Sequence, residues 1–331
     1  MDTRIITGDS LAVLKEMPDQ RVNCVITSPP YYGLRDYGIE GQIGLEESPD
    51  EYIEKMVEVF REVRRVLKDD GTLWLNIGDS YAGNCSRASN NGRAGFGNPR
   101  ETITSRVPSG TKPKDLIGIP WLLAFALRAD GWYLRQDIIW HKPNPLPESV
   151  KDRCTKSHEY IFLLSKSPKY YFDYEAIKEP RNAKEKGESR TYRGGVYTNG
   201  NTFNNSAKIE RTSHGNKPAS SNLRNKRDVW NIAVRPYKGA HFATFPEALV
   251  EPCLLAGCPE GGTALDPFSG AGTVGVVCKK KGRNYVGIEL NPEYAQLQAD
   301  RIASTNVEEE TDKDEEQIPG QMNLDEFNIA N

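Results

Sequence analysis

One glycine loop, late in the chain, constrains the fold more than any other feature. Residues 263–275 read TALDPFSGAGTVG, so Gly270, Gly272 and Gly275 have the spacing G-x-G-x-x-G between a strand-like and a helix-like run. Such a loop cradles a nucleoside-containing cofactor at the carboxyl end of a strand. In an ordinary dinucleotide domain it opens the sheet. Here too little patterned chain follows it to build the remaining strands. The rest of the sheet must come from the N-terminal half, so the units are permuted and the cofactor unit comes last.

The N-terminal half supplies the pattern required. RIITG, VNCVIT, GTLWLNIG and YLRQDIIWHK read as strands, and HEYIFLLSKSPKYYFD as a strand pair joined at 166–169. DSLAVLKEMP, DEYIEKMVEVFREVRRVL and IPWLLAFALRADG read as helices between them. After Trp230, FPEALVEPCLLAG, TVGVVCKKKG and PEYAQLQADRIAS read as helices around the strands TALDPF and YVGIEL. This alternation predicts an α/β fold with a mostly parallel sheet.

Three segments break the pattern. Residues 82–114 are rich in Gly, Asn, Ser and Arg, which predicts a long mobile loop. Residues 178–228 are polar and basic, an insert too poor in apolar residues for a core of its own. Residues 307–331 read as a disordered acidic tail. The expected organisation is therefore 1–177, an insert at 178–228, 229–306 completing the first unit, and the tail.

A net charge of −3 conceals this asymmetry. Residues 178–241 hold 14 Lys/Arg against 5 Asp/Glu, and 82–114 hold 6 against 1. Two basic segments of this kind suit phosphate, hence nucleic acid. The six cysteines, at 24, 85, 154, 253, 258 and 278, have no zinc-knuckle or redox spacing and read as reduced thiols of a cytoplasmic protein. No metal site, signal region or membrane span is expected.

The residues before the glycine loop narrow the cofactor. Asp266 ends the strand, and its carboxylate would repel a pyrophosphate but attract an ammonium or sulfonium. Glu289 ends the next strand, where it can accept from ribose hydroxyls. The pattern points to S-adenosyl-L-methionine.

A second motif stands near the start. Residues 27–33 read TSPPYYG directly after a strand. An exocyclic amine on a base is a poor nucleophile because its lone pair is delocalised. Two acceptors on its hydrogens draw it towards a tetrahedral, localised state. Ser28 Oγ and the Pro29 carbonyl are candidates, and the Pro29-Pro30 pair restricts the backbone that aims them. No covalent intermediate is needed, and the absence of a Pro-Cys pair argues against carbon-5 methylation.

TSPPYYG followed late by DPFSGAGT resembles the amino-methyltransferases of DNA, in the motif order of their β group. The resemblance covers most of residues 4–304 and weakens in 82–114 and 178–228. It implies a Rossmann-like methyltransferase fold with a seven-stranded sheet, S-adenosyl-L-methionine as donor and double-stranded DNA as substrate. It further implies a cytoplasmic protein of a bacterium, archaeon or phage. The target amine is inaccessible in a duplex, so the base must flip out. Tyr31 is expected to stack on it, with Tyr32 a second candidate and Arg35 and Tyr37 near the pocket or phosphate.

The resemblance also implies cofactor contacts from Asp9, Asp266, Pro267, Phe268, Gly270, Gly272, Thr273 and Glu289, with Phe245-Pro246-Glu247 closing over the methionine end. Asp9 reads equally as a helix cap. Asp79, or Asn76, would orient Ser28 or accept from the target amine, unless it caps a loop. Trp140-His141-Lys142-Pro143-Asn144 ends a strand where flanking DNA or the flipped base could pass, although His141 itself reads as a packed or surface histidine. Ser-Pro-Pro-Tyr resembles cytosine-N4 enzymes, with adenine N6 as the alternative. In the insert, Arg181, Arg190, Arg193, Arg211, Arg224 and Arg227 are candidate readers of DNA. Two different readings stand beside this one: a non-catalytic nucleic-acid-binding protein on the same scaffold, and a methyltransferase of RNA or protein. Gln321–Phe327, QMNLDEF, resembles the short peptide that docks replication proteins on a sliding clamp. No nuclease motif is visible, so any cognate restriction endonuclease would be a separate chain.

Overall fold

The computed structural model describes residues 1–34, 36, 38–83, 107–181, 222–234 and 245–306. In chain order the elements are β1 (Thr3–Thr7), α1 (Ser10–Glu16), β2 (Val22–Thr27), α2 (Pro49–Val66), β3 (Leu67–Ile77), α3 (Ile119–Ala129), β4 (Tyr133–His141) and β5 (His158–Ser165). They continue with β6 (Glu179–Pro180), β7 (Leu223–Arg224), β8 (Val229–Asn231), α4 (Glu247–Gly257), β9 (Thr263–Asp266), α5 (Thr273–Lys280), β10 (Asn284–Glu289) and α6 (Pro292–Ser304). No helix among the described residues is long and apolar enough to cross a membrane.

The strands order themselves β1-β10-β9-β2-β3-β5-β4-β8 in one sheet. β1, β10, β9, β2 and β3 are mutually parallel, while β5 runs antiparallel to both β3 and β4. The late strands β9 and β10 thus sit between β1 and β2, as the permuted order requires.

Strand residues alternate between two cores because successive side chains point to opposite faces. Val25, Leu73, Leu75, Phe162 and Leu164 face a core with Leu14 of α1, the α2 stripe and Leu123 and Leu127 of α3. Cys24, Ile26, Trp74, Ile161 and Leu163 face the other, with Leu249 and Val250 of α4, Val276 of α5 and Ile302 of α6. Burial on both faces explains why these strands read as near-continuous apolar runs.

The long helix α2 shows the local logic. Ser48 caps it by accepting from the Glu51 N–H, Pro49 occupies its first turn, and Asp50 and Glu51 complement its positive end. Tyr52, Met56, Phe60 and Val63 recur at helical spacing and are all buried.

Two expectations need correction. Among the described residues the sheet has eight strands, because Val229–Asn231 pairs parallel with β4 beyond the predicted set. The strand pair at 158–173 is a single strand, β5. Residues 170–173 do not pair back with β5 because their N–H groups go elsewhere, Tyr171 to the Asp70 carbonyl (2.8 Å) at the start of β3 and Asp173 to the Ala256 carbonyl (2.9 Å) at the end of α4.

The two basic segments leave from pinned bases. At the first, Ala82 and Asp115 are joined by backbone hydrogen bonding (2.8 Å), as are Lys114 and Ala82 (2.7 Å). At the second, the Arg181 N–H donates to the Asn222 carbonyl (2.8 Å), and β6 pairs with β7. Arg190, Arg193 and Arg211, with Arg35, Tyr37 and Gln321–Phe327, lie outside the described residues.

Candidate active site

The parallel strands β1, β10, β9, β2 and β3 all end at one edge of the sheet. Because β5 is antiparallel, its first residues, His158 and Glu159, lie at that same edge, and in β4 Trp140 and His141 pair with them. This is where open α/β sheets place ligands. Both sequence motifs arrive there: Ser28 follows β2, and the glycine loop follows β9, the neighbour of β2.

The glycine loop is shaped from below. Gly272 has φ +72°, a left-handed turn that opens α5, and a Cβ there would lie 2.6 Å from Gln298. Glu289 accepts from the Gly270 N–H (2.7 Å) and from the Asn291 N–H (2.9 Å), tying the end of β10 to the loop. Burial, against these backbone donors, raises its pKa. Ser10 Oγ donates to the Pro267 carbonyl (2.5 Å), linking the start of α1 to the same loop. Asp9 caps α1 through the Ala12 N–H (2.9 Å), beside the Gly8–Glu289 backbone hydrogen bond. Asn291 caps α6 through the Glu293 N–H (2.9 Å).

Asp266 is 1% exposed. Burial pushes its carboxyl up to about 7, against the lowering effect of hydrogen bonds from Thr27 and the Phe268 N–H. Both hydrogen bonds fall on Oδ1, from Thr27 Oγ1 (2.7 Å) and Phe268 N (3.1 Å). Among the described residues Oδ2 has no donor. A buried carboxylate with one oxygen uncommitted suits a cationic partner. Thr27 is the residue before Ser28, so one hydrogen bond joins the two motifs.

The Ser-Pro-Pro-Tyr segment is held from several sides. Tyr52 of α2 donates to the Pro30 carbonyl (2.8 Å), and the Ser80 hydroxyl to that of Tyr32 (2.7 Å). Tyr31 donates to Glu159 (2.8 Å) and lies 3.2 Å from Asn76 Oδ1, while Ser28 Oγ reaches the Tyr31 hydroxyl at 3.4 Å. Burial and the nearby Glu159 carboxylate hold the Tyr31 phenol well above its ordinary pKa, so it stays a donor. Gly78 makes room for its ring; a Cβ there would lie 2.6 Å from it. Tyr32 is buried against Tyr52 in the core and does not share this position.

Other candidate residues have partners within the chain itself. Asp79 accepts from the N–H groups of Ser80, Gly118 and Ile119 at 2.9–3.1 Å, capping the start of α3 rather than reaching Ser28. Glu247 pairs with Lys280 (2.7 Å) and Arg301 (3.4 Å). Arg301 in turn donates to the Ala271 carbonyl and Thr273 Oγ1, so it links Glu247 to the loop. Phe245 packs against the α4–α5 core, and Phe268 against the α1–α3 core. Arg224 and Arg227 both donate to Glu179, and Arg181 to the Leu223 carbonyl, so these three brace the base of the insert. Arg224 is largely enclosed as well.

Tyr52, Thr27, Glu159 and Arg301 escaped the sequence reading. Tyr52 occupies an apolar helix position, Thr27 a strand end and Arg301 the last turn of a helix. Only Glu159, a carboxylate opening the otherwise apolar run YIFLL, carried a visible signal.

Comparison with known proteins agrees with this arrangement. A DNA methylase family model of the N6/N4 type matches residues 22–300. Type II methyltransferase M.Cfr9I of Citrobacter freundii is 48% identical over 312 residues, covering 92% of this chain and 89% of the relative. M.SmaI of Serratia marcescens is 50% identical over 304 residues, covering 90% of each. Among solved structures, the cytosine-N4-specific PvuII DNA methyltransferase superposes with a TM-score of 0.60 at 18% identity, covering 91% of this chain and 86% of that one. TTHA0409 of Thermus thermophilus, solved with S-adenosyl-L-methionine, gives 0.54 at 24% identity, covering 91% and 93%. The fold is thus that of the methyltransferases, and the chain belongs to the N6/N4 DNA methylase family.

Proposed function

We propose that the chain transfers a methyl group from S-adenosyl-L-methionine to the exocyclic amine of a base flipped out of double-stranded DNA, with cytosine N4 as the target atom. One observation carries the reading: the Ser28-Pro29 acceptors and the glycine loop meet at a single sheet edge, coupled through the Thr27–Asp266 hydrogen bond.

The residues present fit the donor molecule. Glu289 and Asp9 stand at the ends of β10 and β1, Asp266 offers an uncommitted oxygen, and Gly270-Ala271-Gly272 bring backbone close to whatever lies above. Bound there, S-adenosyl-L-methionine supplies an electrophilic methyl. The chain's own part is acceptor geometry. Tyr52 fixes the Pro30 carbonyl, which leaves the Pro29 carbonyl and Ser28 Oγ to take the two amine hydrogens and localise the nitrogen lone pair. The proton lost on transfer leaves by way of Ser28 or solvent. The Tyr31 ring, propped over Gly78, forms the floor on which the base stacks. Basic residues of 82–114 and 178–228 hold the phosphates and read the sequence. The Type II names of the relatives fit a separate endonuclease acting at the same site.

The test is incubation with labelled S-adenosyl-L-methionine and unmethylated duplex DNA, digestion to nucleosides and mass spectrometry. N4-methylcytosine from the wild type, with turnover cut at least about a hundredfold in Ser28→Ala while the donor still binds, is the expected result. N6-methyladenine would replace the base but keep the mechanism. Modification of RNA or protein alone, or none at all, would overturn the assignment.

A further inference from the structure

Beyond Tyr31 the hydrogen-bonded chain continues to a lysine. Glu159 takes the Tyr31 hydroxyl on Oε2 and the Lys142 ammonium on Oε1. Lys142 also sits over the Trp140 ring, 4.3 Å from its centroid. Trp140 is itself fixed by its indole N–H on the Ile232 carbonyl (2.8 Å). Lys142 and Glu159 side chains are only 18% and 16% exposed. An ion pair drawn this far out of water gains little stability for its desolvation cost. A long, flexible side chain is nonetheless held on two sides and carries more N–H donors than Glu159 uses.

The amine of a flipped base belongs at Ser28, and Glu159 lies two hydrogen bonds beyond it, through Tyr31. Along the pairing edge of cytosine the amine is followed by N3 and then the O2 carbonyl, both acceptors. Along that of adenine it is followed by N1 and then a C2–H, which accepts nothing. We infer that Lys142, aimed by Glu159 and Trp140, donates to O2 of the flipped cytosine and makes this pocket reject adenine. A site built to donate leaves one N–H of its partly desolvated ammonium facing C2–H without an acceptor, and such a mismatch discriminates strongly. This assignment rests on the amine-methylation reading above and deepens it to the choice of base.

The test begins by mapping the modified position on DNA from a methylation-free host. Short duplexes then carry cytosine, adenine or 2-thiocytosine at that position. Wild-type enzyme is expected to prefer cytosine and to lose about ten- to a hundredfold on 2-thiocytosine, whose sulfur accepts poorly. Lys142→Met should lower the cytosine rate by the same factor, raise the adenine rate and bind S-adenosyl-L-methionine normally. Lys142→Arg, which keeps a donor, should retain most of the preference. Equal losses on cytosine and adenine in Lys142→Met, or wild-type indifference to 2-thiocytosine, would overturn the inference while amine methylation stood. If Lys142→Met fails to fold, the 2-thiocytosine comparison on wild-type enzyme decides. A wild type that modifies no exocyclic amine would remove both.

Discussion

At the scale of single residues, the site is governed by where buried polar groups find partners. Asp266 holds its proton up to about pH 7 because burial disfavours the charge. Its folded pKa lies above the unfolded one, so its contribution to apo-protein stability is fully present below the unfolded pKa and is lost as pH rises through about 7. A bound cation reverses the preference by stabilising the carboxylate. The affinity for S-adenosyl-L-methionine should therefore rise with pH towards about 7 and then level, and Asp266→Asn should flatten that part of the profile. Calorimetric titration at several pH values checks this. Tyr52 illustrates a subtler control. Removing its hydroxyl in Tyr52→Phe frees the Pro30 carbonyl without opening a cavity. We expect a fall in kcat of about fivefold, corresponding to one neutral hydrogen bond of about 1 kcal/mol, with donor affinity unchanged.

At the scale of elements, the loops that carry chemistry are held by helix and strand ends. Asp79 serves three backbone N–H groups where α3 begins, a place where Gly118 offers no side chain to cap. Its carboxyl is raised by burial, with the backbone donors and Lys156 pulling it back down. Asp79→Ala should cost about 1–2 kcal/mol of stability, measured by denaturant melts, while the variant still methylates DNA when folded. Loss of methylation from a stable variant would instead restore Asp79 to the catalytic group. The same scale explains α6, whose Arg301 reaches the Ala271 carbonyl and shapes the glycine loop from outside.

At the scale of the whole molecule, the basic insert is a graft on a closed frame. Arg181 and Asn222 are hydrogen-bonded neighbours, and β6 pairs with β7 just outside them. Replacing residues 182–221 by a short glycine linker should therefore leave the melting temperature and donor binding near wild type. Sequence preference on DNA should be lost, and the salt slope of DNA affinity should shrink as phosphate contacts disappear. Deep sequencing of methylated sites in treated genomic DNA, beside a salt titration of binding, reads both. An unchanged preference would move target recognition to 82–114 or to the sheet edge itself.

Much of this arrangement was legible in the linear order of residues. Alternating apolar runs determine the α/β class, because a strand buried on both faces and a helix with one apolar stripe have different periods. The late glycine loop determines the permutation, and TSPPYYG and DPFSGAGT name their own ends of β2 and β9. Tertiary structure decided what lies across from them. Glu159 reaches Tyr31 from 128 positions away because β5 runs antiparallel beside β3, and Thr27 meets Asp266 from 239 positions away because β9 lies against β2. The same is true of the partners of Asp79, Glu247 and Arg224, which are backbone N–H groups or ion pairs brought together by packing. Residue type and local spacing set what each group can bond; which partner it bonds depends on strand order and register, which long-range packing fixes and no local pattern encodes.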